Sequence, residues 1–319
     1  MIKKVKIIKE NETGLSEHLE DYLKVDMVFR KTRKDFVGKS SSNPTWGMVF
    51  NIRDGKLKLN IDGDGLYKEF DYDNPNAAYA EKIASIMGRE ILDTTRVPKV
   101  DIVEERAKEP AIISYKLMDN DKEDMFHISD LMFYKYDREQ LSVKKNIFTI
   151  EDILECMKEQ VKDEENYKEV ERSILHTLLL DSVINNGDRH NNNWALVINK
   201  ETGKYELAIF DHASTFIDMI EEQPRCVYNG WVGSYISYDE RRTIRKGDLG
   251  KEIIDYIAKN YKEYFEEFCE IFNEKLPFIL GEIKKENLPI DKNRLELKLN
   301  QRNNYLKKIK SRGESEYGE

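Results

Sequence analysis

The apolar residues of this chain change their period along its length. Between Thr45 and Phe70 they alternate in short runs, TWGMVFNI, KLKLNI and GLYKEF, each bounded by Asp, Gly or Asn. That pattern predicts a three-stranded antiparallel sheet, with a hairpin turn between the second and third runs. NPNAAYAEKIASIMG follows and reads as a helix begun by Asn74, with Pro75 at its first position, and ended near Gly88. Tyr79, Ile83 and Ile86 mark its apolar stripe, and Glu81 lies off that stripe. After Pro98 comes one further apolar strand, AIISYKLM. From Ile128 onward the spacing turns helical, with helices expected over Ile150 to Gln160, Glu165 to Ile184, Gly250 to Phe272 and Asn293 to Lys310. One hairpin interrupts them: WALVINKETGKYELAIFD reads as strands from Trp194 to Asn199 and from Lys204 to Phe210, joined by a loop containing Thr202-Gly203. Strands first and helices later predict an α+β chain.

Composition narrows the setting. A length of 319 residues allows two packed lobes, and 39% hydrophobic residues suffice for a core. Lys and Arg number 52 against 61 Asp and Glu, a net charge of −9, which suits neither direct nucleic-acid binding nor a membrane surface. Cys156, Cys226 and Cys269 are widely spaced and form no CxxC pair, so neither a disulfide framework nor a zinc knuckle is suggested. The start, MIKKVKIIKENE, has no apolar core or cleavage site of a signal peptide, and no apolar run approaches a bilayer's width. A cytoplasmic protein is expected, with signal-independent secretion left open.

The hairpin carries the chemistry. Folding it back on itself sets Asn193 beside Phe210 and Asp211, so two hard oxygen ligands converge at one mouth, a donor set suited to Mg²⁺. Directly before it, the apolar helix ILHTLLLDSVI runs into the polar loop Asp188-Arg189-His190-Asn191-Asn192-Asn193. Phosphoryl transfer needs an acid near the attacking hydroxyl, oxygen ligands for Mg²⁺ and a cation on the nucleotide phosphates. Asp188 supplies the first. A run of Asn, Gly and Asp is also an ordinary polar turn; the conjunction of helix, loop, hairpin and terminal acid favours chemistry. NIDGDGLYKEFD places Asn60, Asp62, Asp64 and Gly65 as in a calcium loop, but Lys68 and Asp71 occupy later ligand positions and the flanks are strands. VGKSSSNP, with Ser40, Ser41 and Ser42, can lie over phosphates with its backbone N–H groups inward, or be an ordinary surface loop. It is not a Walker A motif, because Arg33 stands where that motif has Gly.

GDRHNNN resembles the GDRHxxN loop of phosphatidylinositol 3- and 4-kinases and the catalytic loop of bacterial HipA-like toxin kinases, and FDHASTF resembles their metal-binding segment. The likeness to HipA-like kinases, their short cell-translocating members included, extends more loosely from about Val37 to the last helices. It implies a two-lobed kinase fold, with residues 1–117 as a small lobe and 118–319 as a helical lobe. In those terms Asp188 is the catalytic acid, and Asn193, five positions on, repeats the spacing of the protein-kinase HRDxxxxN loop. Asn193 and Asp211 become the metal ligands and Ser40 to Ser42 the phosphate loop. Lys68 becomes the strand lysine on the phosphates, Glu81 its helix partner, and Ile113, Ser114, Tyr115 and Lys116 the adenine hinge. His190 is given a part in charge stabilisation, Arg189 a structural one. His212 stands where protein kinases carry the Phe of DFG, while His18, His127 and His176 are ordinary.

The resemblance implies an ATP- and Mg²⁺-dependent serine/threonine protein kinase that phosphorylates itself, with a protein substrate. Full-length HipA-like toxins carry an additional N-terminal module and act beside an antitoxin, so a small helix-turn-helix partner is a candidate; here only about 36 residues precede the presumed phosphate loop. A lipid kinase is the first alternative, disfavoured because Asp218, Glu221 and Glu222 follow Asp211 while Arg241, Arg242, Arg245 and Lys246 lie further off. A non-catalytic nucleotide-binding scaffold is the second. It sits poorly with the retention of Lys68, Asp188, Asn193 and Asp211 together.

Overall fold

The strand-rich part closes on itself. The computed structural model describes residues 2–8, 25–31, 45–53, 56–70, 76–104, 110–136, 148–220, 231, 236–237 and 250–316. Six strands, β1 (Lys3–Ile8), β2 (Met27–Lys31), β3 (Thr45–Arg53), β4 (Lys56–Lys68), β6 (Val100–Glu104) and β7 (Ala111–Tyr115), form a barrel in the order β1-β2-β3-β4-β7-β6. β1 lies parallel to both β2 and β6, and the other pairings are antiparallel. The expected three-stranded antiparallel sheet is therefore corrected to a six-stranded barrel, closed by a first strand that the polar N-terminal sequence does not advertise. Alternation explains the packing: Met27, Phe29, Val49, Tyr67, Val103, Ala111, Ile113 and Tyr115 share one core cluster. Val100 and Ile112 point the other way and pack with Ala78. Asp101 is buried among the barrel strands, where Lys3 Nζ at 2.7 Å and the Tyr115 hydroxyl at 2.8 Å donate to its carboxylate. Closure thus brings its own counter-ion.

KLKLNI and GLYKEF are also not two strands. They form the single strand β4, and no hairpin separates them. Met48 faces Asp64 while Phe50 faces Leu59, so the residues around Gly63 are accommodated as an irregularity in the ladder. Gly63 takes φ +74°, which suits a residue without Cβ. Pairing with β3 on one side and β7 on the other overrides the turn chemistry of Asp-Gly-Asp-Gly.

Helix α1 (Ala77–Ile91) starts after Asn76; Asn74 and Pro75 lie outside the described residues, and the helix runs three residues beyond Gly88. It buries Ala80, Ile83, Ala84, Met87 and Ile91 in the large core that also holds the C-terminal helices. β5 (Thr95–Arg96), β8 (Glu123–His127), β10 (Trp194–Asn199) and β11 (Tyr205–Ile209) form a second sheet in the order β5-β11-β10-β8. β9 (Phe148–Thr149) and β12 (Ile236–Ser237) make a short parallel pair. The remaining helices are α2 (Ile128–Lys135), α3 (Ile150–Gln160), α4 (Glu164–Val183), α5 (Gly250–Asn260), α6 (Lys262–Lys285) and α7 (Lys292–Glu316). α3 coincides with its expected range and carries a reciprocal cap between Thr149 and Asp152. The single helix expected over Gly250 to Phe272 is two helices, broken at Tyr261, whose φ −134° and ψ 51° are not helical. No helix among the described residues is long and apolar enough to cross a membrane.

Candidate active site

Helix α4 sets the site's floor. Asp163 caps its N-terminus, and its apolar turns through Leu178, Leu179, Leu180 and Val183 are buried in the large core. At its end Asn185 takes a left-handed conformation, φ 52°, and turns the chain into the polar loop. The loop is held by its own residues. Asp188 N–H donates to Asn186 Oδ1 at 3.0 Å, His190 N–H to Asp188 O at 2.8 Å, and Asn193 N–H to His190 O at 2.9 Å. The Asn193 side-chain nitrogen donates to Asp188 O at 2.8 Å, which leaves its Oδ1 as the atom suited to a metal ion.

The hairpin has the register that the sequence predicts. Trp194 pairs with Ile209, and Phe210 N–H donates to Asn193 O at 3.1 Å, so Asp211 emerges beside the loop that carries Asp188. Asp211 has φ 58°, which aims the chain sharply out of the strand. Lys68 of β4 reaches it with Nζ to Oδ1 at 2.6 Å, and Glu81 of α1 lies 4.0 Å from the same ammonium. The expected Lys68–Glu81 pair is thus in place, though Lys68 sits closer to the acid of the hairpin. β4, α1 and the continuous loop-and-hairpin stretch 188–211 bring Lys68, Glu81, Asp188, Asn193 and Asp211 into one neighbourhood.

The electrostatics reflect crowding. Burial, and then the charge of Asp211, push the Glu81 carboxyl up to about 7 despite Lys68 and the His212 backbone N–H. Burial also raises Asp188, with Asp211 adding to the effect and His190 opposing it. Glu81 and Asp211 thus flank one lysine, whose charge also reaches Asp188. Among the described residues no three His, Cys, Asp or Glu side chains form a metal cluster. Asn193 Oδ1 and Asp211 would therefore supply one or two protein oxygens, as Mg²⁺ sites commonly do, the rest coming from phosphate and water.

Arg189 is the residue whose weight sequence reasoning understated. It is 1% exposed and grips Asp181 of α4 through Nε at 2.7 Å and Nη2 at 3.0 Å. Its Nη1 donates to Asn193 O at 2.5 Å and to Phe210 O at 3.1 Å, and Nη2 to His212 Nε2 at 2.8 Å. Because arginine only donates, His212 carries its proton on Nδ1, which lies 3.9 Å from Glu81 Oε2. Burial, then the charges of Arg189 and Lys68, keep that imidazole neutral. A signal existed: Asp181 is an acid inside an otherwise apolar helix segment, and a buried acid needs a partner. His127, expected to be ordinary, lies with its Nδ1 3.1 Å from Asn192 O and packs its ring at right angles to that of Phe210.

The other expected site residues divide. Ser40, Ser41 and Ser42 lie outside the described residues, as do Cys226, Glu221, Glu222 and the Arg241 to Lys246 cluster. Ile113 and Tyr115 turn their side chains into the barrel core, and Ser114 pairs with Leu66 and Val100. The N–H groups of Tyr115 and Lys116 donate to Lys99 O and Asp64 O. A cavity of about 150 Å³ lined by Asp93, Thr94, Glu169, Ser173, Lys204 and Glu206 shares no residue with the site.

No family model and no curated protein matches this sequence. Solved structures do match in fold. The Helicobacter pylori proinflammatory kinase CtkA aligns with 91% of this chain and 97% of its own, at 15% identity and a TM-score of 0.61. HipA, from the toxin–antitoxin complex of HipA, HipB and operator DNA of Shewanella oneidensis MR-1, aligns with 88% of this chain and 68% of its own, at 12% identity and a TM-score of 0.54. The chain has the fold of these HipA-like kinases.

Proposed function

We propose that this protein is an ATP- and Mg²⁺-dependent serine/threonine protein kinase of the HipA-like type. The observation that carries the reading is the convergence of Lys68, Glu81, Asp188, Asn193 and Asp211 at the junction of barrel, α1, loop and hairpin. The fold shared with two kinases supports it. Residues 1–117 and 118–319 would act as two lobes. The Mg²⁺·ATP complex supplies the γ-phosphoryl group and the charge neutralisation that its transfer needs. Asp188 positions the acceptor hydroxyl and takes its proton, a task that its raised affinity for protons favours. Asn193 and Asp211 hold the metal ion. Lys68 holds the nucleotide phosphates and Glu81 holds Lys68, with His190 adding a donor near the developing charge. Since the Tyr115 and Lys116 N–H groups are engaged within the barrel, adenine would be met just beyond them, at Leu117 and Met118.

The acidity that argued against a lipid headgroup is partly internal. Asp218 is neutralised by Arg294 and Lys298, so it bears little on the substrate. The protein-kinase reading rests on the fold likeness instead, and a HipB-like partner remains part of the proposal. Incubation of the purified protein with γ-labelled ATP and Mg²⁺ tests it: label transferred to protein supports the reading, and transfer only to phosphoinositide vesicles favours the lipid kinase. Mass spectrometry of the product should find phosphate on Ser40, Ser41 or Ser42. A phosphoserine adds about −1.5 to −2 charge, which would repel nucleotide phosphates and weaken ATP binding. Phosphate found only elsewhere, or undiminished ATP affinity after modification, would remove that loop from the mechanism.

Lys68→Met should lower ATP affinity roughly tenfold, the scale of one hydrogen bond between charged groups, about 1.5–3 kcal/mol less what solvent recovers. Glu81→Gln should give a smaller loss in the same direction. ATP titrations in the labelling assay measure both. Unchanged affinity and turnover in the two variants would leave the pair a structural contact.

A further inference from the structure

The geometry points to helix α7 as a clamp that sets the catalytic loop and the segment after Asp211 relative to each other, with Arg294, Lys298 and Arg302 as positioning residues. These three cations recur every four residues and so share one face of the helix. Arg294 donates through Nε to Asp218 O at 3.1 Å and through Nη2 to Asp218 Oδ1 at 2.5 Å. Lys298 Nζ donates to Asp218 Oδ2 at 3.2 Å. One turn further, Arg302 Nη2 donates to Asn185 Oδ1 at 3.0 Å, and its guanidinium carbon lies 3.3 Å from the centroid of the Trp231 ring. Arg302 is 7% exposed, and Trp231 likewise. One helix face thus grips the root of the Asp188 loop at Asn185, and the chain beyond Asp211 at both Asp218 and Trp231.

Backbone strain gives this grip a task. Among the described residues five non-glycine positions have positive φ, and four of them are Asn185, Asp211, Phe216 and Asp218. Such a conformation costs about 1–2 kcal/mol for a residue like Phe216 and less for Asn and Asp, and a cluster of four persists where surrounding contacts hold it. Those contacts are present. Phe216 N–H donates to Ile184 O at 2.7 Å, Gly187 N–H to Ser214 O at 3.3 Å and Asn185 Nδ2 to Ile217 O at 3.0 Å, so the two strained segments are stitched together and α7 closes them from outside. Asp188 lies three residues beyond Asn185, and Asp211 seven before Asp218. Loosening α7 would let both acids drift without touching either.

The inference rests on the kinase reading, and its test separates the two. Label transfer by the wild-type protein settles the reading first. Asp218→Asn, Arg294→Gln and the double variant should then each lose about tenfold in kcat, with the ATP KM changed less than about twofold, as expected when alignment rather than binding is lost. The double should lose less than the product of the two singles, because both remove the Asp218–Arg294 ion pair, while each also removes a contact of its own, Lys298 on Asp218 or Arg294 Nε on Asp218 O. Arg294→Lys, which keeps a cation for Asp218, should recover much of the rate. Undiminished kcat per folded molecule, or losses that multiply in the double, would overturn the clamp. Lys298→Met, at a partly exposed position, gives a second reading should Asp218→Asn fail to fold. Hydrogen exchange at Phe216 serves if the wild type transfers nothing: faster exchange confined to residues 211–220 supports the clamp, and unchanged exchange refutes it.

Discussion

Asp211→Asn should reduce phosphoryl transfer by about a thousandfold or more, because a metal ligand that stabilises transition-state charge contributes several kcal/mol. Asparagine is the informative substitution. Asp211 sits at φ 58°, a conformation that Asn tolerates and Ala resists, so Asp211→Ala would mix backbone strain with loss of chemistry. The amide keeps an oxygen but loses the charge that now holds Lys68 at 2.6 Å. Losing that ion pair is offset by relieving the Asp211 repulsion that adds to burial in raising Glu81, so the melting temperature should move by only a few degrees, about 1 kcal/mol. Mg²⁺-dependent ATP binding, followed by calorimetry, should weaken in the same variant. Asp188→Ala should instead leave ATP binding near normal and cut turnover by about 10²–10⁴-fold, the range for a general base. Full autophosphorylation by either variant would end the assignment of these acids.

The parts of the site legible in the sequence were local ones. Asp188, Asn193, the hairpin and Asp211 lie within 24 consecutive residues, and apolar alternation with a tight connection fixes how such a ribbon folds, down to Phe210 beside Asn193. Lys68 and Glu81 needed the barrel and α1 to meet the hairpin, a contact visible in the sequence only through the resemblance. The barrel itself is not legible because its closure depends on β1, a charged strand whose partners are both parallel, β2 as the next strand and β6 far along the chain. Parallel pairing leaves no hairpin signal behind. β4 was divided in two by a rule that is sound for isolated hairpins but yields when neighbours on both sides supply the ladder. The break at Tyr261 left no Gly or Pro to mark it. Pro277, which would predict a break, lies within α6.

Arg189→Met should unfold the protein more readily than any substitution among the acids. It removes five hydrogen bonds from a side chain 1% exposed and leaves Asp181 charged and buried, a situation that costs about 3–5 kcal/mol. At roughly 2–4 °C per kcal/mol for chains approaching this size, the melting temperature should fall by about 10 °C. Arg189→Lys should fare only somewhat better, since a single ammonium cannot span Asp181, the carbonyls of Asn193 and Phe210, and His212 at once. The double variant Asp181→Asn, Arg189→Met separates stability from function. Removing both partners of a buried ion pair is far milder than removing one, so much of the lost melting temperature should return. Activity should not return with it, because the two carbonyls and His212 would still lack the group that ties the Asp188 loop to the Asp211 turn. Recovery of turnover together with melting temperature would show that Arg189 serves only to neutralise Asp181.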